Sequence, residues 1–409
     1  MENKTQDKKY ILWINLFMQI VFCFFSVFFN IFVFEISQDL NIVILYTITN
    51  FVASWLFNLI LLKAINKKFL TVMFRLSFLL CFVCTVLTFF INGQRLWLVF
   101  VVQILYALTI DFYYIPSEVS TMTKNTKGQM KKFMGLYSAL SVFAAVISPF
   151  LSGYIIDFGS YYILLGIMMA FIVVCFGLST KLKLVTQDVG HVSLKEYLGV
   201  VRQDKGVQYG YVGYSINKFS MDGPIETLLP ILLFLRTGTN YSVGNYSALA
   251  ALIASMLLLI YAYFGKRKEL MMWICSAAQV VISLMILLSG SVVVFFIYYF
   301  IMKIVSKLLH NGINSSLMTI VNHTPLRKYK VEQHFAYHTL SIIVRVFSCG
   351  LCLVFYNFLN NEISLVLFLA VTAAFQLLST FFVCKSDRML QNVQPYEEEM
   401  ASENEKGPF

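Results

Sequence analysis

Charge is what this sequence has least of. Asp, Glu, Lys and Arg make up 13% of its 409 residues, against about 25% in an ordinary soluble domain. With 59% hydrophobic residues and a mean hydropathy of +0.75, that scarcity excludes a soluble globular protein and points to a polytopic membrane protein. No Gly-rich loop followed by Lys-Ser/Thr is present, so the chain is expected not to hydrolyse nucleotide on its own. A disulfide framework is missing as well. The eight cysteines (Cys23, Cys81, Cys84, Cys175, Cys275, Cys349, Cys352, Cys384) all fall in apolar segments and read as small buried hydrophobes. Cys81-x-x-Cys84 and Cys349-Gly-Leu-Cys352 have metal-like spacing, but each pair lies inside one apolar helix, where accessible thiolate is hard to form. No metal and no cofactor are expected. His334-x-x-x-His338 is the only pattern approaching a catalytic set, and it lacks an adjacent acid in zinc-helix order, so no enzyme is expected. No cleavable signal peptide is expected either, since the apolar run after Lys8 and Lys9 continues to Phe34.

What the chain does have is long apolar runs. At about 20 residues per crossing, they fall at 10–34, 42–62, 69–90, 96–118, 133–155, 160–180, 207–235, 241–264, 270–289, 291–321, 333–357 and 363–384. Cations collect in alternate connections. They include Lys63, Lys67 and Lys68, then Lys124, Lys127, Lys131 and Lys132, then Lys181, Lys183, Lys195, Arg202 and Lys205. Lys266, Arg267 and Lys268 follow, then Arg327, Lys328 and Lys330, and finally Lys385 and Arg388. The opposite connections carry only Arg95 and Arg236, alongside Glu35, Asp39 and Glu362. The positive-inside rule places both termini in the cytoplasm of a cell membrane. The net charge of +10 is thereby read as an orientation signal, with no nucleic-acid partner implied.

The fold expected is an all-α polytopic membrane protein, with twelve transmembrane helices in two six-helix pseudo-repeats around a central cavity. Residues 1–180 form the first half, 181–206 a cytoplasmic linker, 207–385 the second half and 386–409 a disordered acidic tail with Glu397, Glu398, Glu399, Glu403 and Glu405. A patch in the linker (Val192, Leu194, Tyr197, Leu198, Val201) leaves two readings open, an amphipathic segment on the membrane surface or a solvated connection.

Lys218, Lys303, Lys307 and Arg345 lie inside these apolar runs. A charge at the bilayer centre costs roughly 2.5–3.5 kcal/mol even on the lenient insertion scale, so a water-filled cavity with a positive wall is the economical reading. Span seven carries Lys218, Asp222 and Glu226 at i, i+4 and i+8, a stripe for one helix face. Span ten carries Lys303 and Lys307, then His310 or Asn311, and Asn314. Span four carries Gln103, Asp111, Tyr113 and Tyr114; span one carries Asn15, Gln19, Ser26 and Asn30. The substrate-binding candidates are Lys218, Lys303, Lys307, Arg345, Gln19, Asn30, Gln103 and Asn314. The proton-coupling candidates are Asp111, Asp222 and Glu226. Blander readings stand beside them: Lys218 with Asp222 as a self-neutralising pair, the span-ten lysines as snorkelling stems, and Asp111 as a helix-packing hydrogen bonder.

Two six-helix halves joined by a central connection resemble the major facilitator superfamily. Between spans two and three that family usually shows Gly-x-x-x-Asp-Arg-x-Gly-Arg-Arg. Here Leu59 to Lys68 keep only the terminal basic pair, Lys67 and Lys68, while Lys63 replaces the acid. Gly265-Lys266-Arg267-Lys268 echoes it in the second half. Ser148-Pro149-Phe150-Leu151-Ser152-Gly153 is similar to the Gly-Pro-x-x-Gly-Gly element of the family's exporters, which marks Pro149 and Gly153, with Lys67 and Lys68, as gating or packing residues. Drug–proton antiporters carry a membrane arginine in span four; the aligned position here is Gln103. The resemblance implies that spans one, four, seven and ten line the pathway. It also implies a monomeric secondary active transporter, proton-coupled and working by alternating access, which moves a small polar, anionic or amphiphilic compound, with export favoured. A flippase of lipid or lipid-linked head groups is the alternative. The partners expected are a small-molecule substrate and membrane lipids.

Overall fold

The computed structural model describes residues 2–64, 67–124, 127–182, 193–264, 268–289, 291–322, 329–359 and 362–391. Every regular element among them is a helix. In chain order these are α1 (Glu2–Cys23), a π-helical turn (Phe24–Phe28), α2 (Phe29–Ser37), α3 (Leu40–Ala64), α4 (Lys67–Thr88), α5 (Trp97–Lys124), α6 (Lys127–Phe158) and α7 (Tyr161–Thr180). Then come α8 (Leu194–Gln203), α9 (Lys205–Met221), α10 (Pro224–Thr237), α11 (Asn240–Phe264), α12 (Lys268–Ser289), α13 (Val292–Asn322), α14 (Lys330–Leu359) and α15 (Glu362–Gln391).

Helix starts follow local chemistry. Asp204 accepts from the Val207 amide at 3.1 Å to open α9, and Ser160 accepts from the Ile163 amide at 3.3 Å to open α7. Each satisfies an amide that has no partner inside its own helix.

Eleven stretches among the described residues are long and apolar enough to cross a membrane, from Lys9–Ser37 to Ser364–Leu390. A broken pair, α9 and α10, makes a twelfth. With 17 and 14 residues, they extend about 26 Å and 21 Å at 1.5 Å per residue, each short of a hydrocarbon core about 30 Å thick. This corrects the continuous helix expected over 207–235. Asp222 leaves α9 with extended backbone, Gly223 takes φ 74°, and Pro224 restarts the helix. Glycine reaches positive φ without steric cost, and proline suits a first turn because its missing amide hydrogen had no intrahelical acceptor there. The four-residue step from Asp222 to Glu226 therefore does not place both on one helix face.

The helices form two compact units. One comprises α1 to α7 with α10 and most of α11; the other comprises α8, α9, α12, α13, α15 and most of α14. Thus α10 and α11, which follow the 181–206 linker in sequence, cluster with helices that precede it. In the first unit α5 packs on α3 and α4, α1 on α6 and α7, and α10 on α2, α3 and the π turn. Side chains at Gly153 and Gly244 would collide with the backbone carbonyls of Asn240 and Pro149, so α6 and α11 touch through their backbones. That geometry fits a packing role for Pro149 and Gly153.

In the second unit α9 lies against α15. A Cβ at Gly213 would stand 2.6 Å from Val383, and one at Gly206 would stand 3.1 Å from Leu390. Ser379 and Ser386 of α15 each donate, at 2.7 Å, to the carbonyls of Gly213 and Gly206. The linker contributes α8, whose Tyr197 is buried and shares a 2.5 Å hydrogen bond with Tyr211, while Leu198 is exposed. Residue Val192 of the linker patch lies outside the described residues.

The last helix continues to Gln391, past the boundary at 385, because its end is tied down. Asp387 takes Lys268 and Ser316 at 2.8 Å each, and Arg388 pairs with Glu269 at 2.8 and 2.9 Å. The acidic residues from Glu397 onward lie outside the described residues.

Candidate functional site

The break after α9 builds a buried charge cluster in the second unit. As the last turn of α9 unwinds, Lys218 and Asp222 keep their helical spacing and meet at 2.7 Å. Arg345 from α14 reaches the same carboxylate oxygen, Oδ2. All three side chains are largely shielded, at 6%, 12% and 20% exposure for Lys218, Asp222 and Arg345. Two cations thus converge on one carboxylate in a place with little water to screen them. Lys218 also lies 5.4 Å over the ring of Tyr214, a cation–π contact that supports the charge without neutralising it.

Helix α13 brings two further cations of this unit. Lys303 lies 5.9 Å over the Tyr299 ring, and Lys307 is exposed one turn further. His310 bonds Asn314 at 2.8 Å and stands within electrostatic range of Lys218, Asp222, Lys307 and Arg345. Nearby, Asn217 of α9 donates to Gln376 of α15 at 3.2 Å. The structure therefore gathers Lys218, Asp222, Arg345, Lys307 and Asn314 in one unit.

Glu226 does not join them as a stripe. It stands beyond the break, exposed on α10 in the first unit.

The first unit holds a different kind of cluster. Asp111 of α5 is buried and accepts from Ser54 at 3.0 Å and from Asn58 at 3.0 Å, both on α3. A turn or more away, Gln103 accepts from Asn50 at 3.0 Å through its side-chain oxygen. Asn30 accepts from Tyr46 at 2.5 Å and donates to the Ser26 carbonyl at 2.8 Å, which ties α2 to the π turn. Gln19 is half-buried on α1. Asn15 donates to Ser141 at 3.3 Å and accepts from Tyr113 at 3.4 Å. Lys67 and Lys68 open α4, but their side chains lie outside the described residues.

Three functional candidates escaped the sequence reading. Ser54 and Asn58 hold Asp111, and their i, i+4 spacing inside an apolar run was the available signal. Gln376, a buried amide in an apolar helix, was another.

Comparison with known proteins follows the same lines. A sequence profile of the Major Facilitator Superfamily matches residues 15–330. No curated protein sequence matches the chain. Solved structures match nearly end to end. One is a bacterial homolog of the human lysosomal transporter Spinster, inward-facing and unoccupied, with 13% identity over 94% of this chain and 98% of that one, at TM-score 0.63. Another is the nucleoside transporter NupG, in a mutant form, with 8% identity, 94% and 99% coverage and TM-score 0.68. A third is a bacterial homologue of the iron transporter ferroportin, inward-facing, with 13% identity, 94% and 98% coverage and TM-score 0.65. At such identities the likeness is one of fold.

Proposed function

This chain belongs to the major facilitator superfamily and is a membrane transporter, and on that footing we propose that it is a proton-coupled secondary active transporter of a small anionic or amphiphilic compound. The observation that carries the reading is the Lys218–Asp222–Arg345 node, where one carboxylate meets two cations at a helix break. An anionic group can add to the contacts of these two cations, and Lys303 and Lys307 bring further positive charge on α13. Desolvated cations interact strongly with an anion that reaches them, so binding an anion there is favourable and selective. Neutral or cationic compounds gain nothing from it.

Asp111 is the carboxylate assigned to the proton. It is held by a hydroxyl and an amide, groups that serve a charged and a neutral carboxyl alike. Glu226 remains in the coupling set beyond the break, while Asp222 keeps its charge as the anchor of Lys218 and Arg345. Export is favoured by the exporter-like Ser148 to Gly153 element, and the carrier works as a monomer in the cell membrane with both termini inside.

A ligand panel tests the reading. Purified protein is expected to gain thermal stability with anionic compounds and none with cationic or neutral analogues of similar shape; equal shifts from all three classes overturn it. Orientation is tested by cysteines at positions 95 and 236, which should be labelled from outside, and at 127 and 267, which should be labelled from inside.

A further inference from the structure

A polar side chain inside an apolar helix bundle is costly unless it meets a partner, and the second unit buries several that do not. Ser276, Gln279 and Ser283 share the inward face of α12, at three- and four-residue steps. Ser276 is satisfied, through a 2.6 Å hydrogen bond shared with Thr380 of α15. Its two neighbours are not. Both amide atoms of Gln279 and the Ser283 hydroxyl lack a protein hydrogen-bond partner, although each residue is 0% exposed.

Helix register brings further unpartnered groups to the same depth. Helices α12 and α15 run antiparallel, with Lys268 meeting Asp387 and Ser276 meeting Thr380. One turn on, that pairing sets Gln279 level with Gln376, three residues beyond Ser276 and four before Thr380. The Gln376 oxygen accepts from Asn217 of α9 at 3.2 Å, while its nitrogen has no protein partner. From α13, the buried Tyr298 brings its hydroxyl beside that of Ser283, with no aligned hydrogen bond between them.

Five polar atoms on four fully buried side chains are thus left over in one stretch of the bundle. Their chemistry selects the occupant. Both glutamines present N–H donors, which disfavour a cation; the Gln279 oxygen only accepts, which disfavours an anion; the hydroxyls serve in either sense. A molecule that donates and accepts equally well satisfies them all.

We infer that α12, α13 and α15 enclose a buried water site, held by Gln279, Ser283, Tyr298 and Gln376. At about three hydrogen bonds per buried water, these atoms engage about two molecules. The site stands apart from the anion reading, since none of its four residues is a candidate for binding substrate or proton. With water on its nitrogen, the Gln376 amide keeps its oxygen toward Asn217, the residue before Lys218 in α9. The water is therefore part of the scaffold that carries the charge cluster.

The experiment is X-ray radiolysis of the full chain in phosphatidylcholine nanodiscs, with oxidised residues mapped by mass spectrometry. Radiolysis turns water into hydroxyl radicals, which oxidise the side chains next to the water that produced them. Tyr46 is the reference, because it is 1% exposed and its hydroxyl is bonded to Asn30. Tyr298 should be oxidised at least tenfold faster than Tyr46, and equally fast in sodium chloride and in choline chloride. Gln279→Met, similar in shape and apolar, supplies a second readout. In a dry site it removes two unpartnered atoms and raises the melting temperature. In a hydrated site it strips bonds from the water and lowers that temperature, by about 2 °C or more. Tyr298 oxidation in this variant should fall at least fivefold. Tyr298 as inert as Tyr46, protection of Tyr298 by sodium but not by choline, or a higher melting temperature for Gln279→Met overturns the water site. Should Gln279→Met fail to fold, the comparison of Tyr298 with Tyr46 in the parent protein decides alone.

Discussion

Asp111 and Asp222 are both buried carboxylates at bilayer depth, and they are held in opposite ways. Asp111 is grasped by Ser54 and Asn58, a hydroxyl and an amide from one neighbouring helix. Asp222 is grasped by Lys218 from its own helix and Arg345 from another. The first arrangement tolerates a change of charge on the carboxyl, because neutral dipoles reorient at small cost. The second depends on that charge, because removing it takes a shared anionic partner from two cations in a poorly screened site. The proposed proton-coupled anion transport uses both kinds of site: one that exchanges a proton, and one whose cations an anion can reach.

The contrast is most sharply broken at Asp222. Asp222→Ala is expected to destabilise the protein by about 3–5 kcal/mol, the usual penalty for stranding a buried charge partner. Thermal denaturation should show the fall, and adding Arg345→Gln should recover part of it. An Asp222→Ala protein as stable as the parent dissolves the distinction.

Asp111→Asn is expected to change stability by no more than about 1 kcal/mol, since the amide keeps an acceptor for Ser54. Transport driven by a pH gradient should nevertheless fall about a hundredfold, while substrate exchange without a gradient persists. If gradient-driven uptake in reconstituted vesicles survives, the proton is carried elsewhere.

Lys303→Ala and Lys307→Ala probe the extent of the positive wall. Each should weaken anion binding roughly tenfold, about 1.4 kcal/mol, with the melting temperature of the unliganded protein little changed. Affinities that stay the same for every ligand confine the anion site to the node at Asp222.

Ser54→Ala is the mildest test. One hydrogen bond at bilayer depth contributes about 0.6 kcal/mol, so a small loss of stability is expected, together with a shifted pH profile of transport. A stability loss with no change in that profile reduces Ser54 to a packing residue.

Much of this architecture is legible in the sequence because membrane crossings are written locally. Apolar runs and alternating clusters such as Lys124, Lys127, Lys131 and Lys132 require no knowledge of tertiary contacts. The break in span seven was also written, as Asp222-Gly223-Pro224, a turn signal. The i, i+4, i+8 spacing of Lys218, Asp222 and Glu226 competes with that signal on a reading by periodicity, and the backbone at Gly223 decides between them. The partners of Asp111 and the second cation on Asp222 were not legible, because they come from residues 53 to 123 positions away in the chain. Likewise, nothing local in Asp387 and Arg388 announces that Lys268 and Glu269 will hold them in a helix.

The backbone-level bonding of α9 to α15 has a consequence for how the protein is made. Ser379 and Ser386 reach the carbonyls of Gly213 and Gly206, yet α15 leaves the ribosome only after five further helices have been synthesised beyond α9. During that interval the glycines of α9 lack the serine hydroxyls and the close packing that α15 supplies. The helix that carries Lys218 and Asp222 thus matures late in biogenesis, and a nascent chain arrested before residue 379 should present α9 as a client for membrane chaperones and proteases.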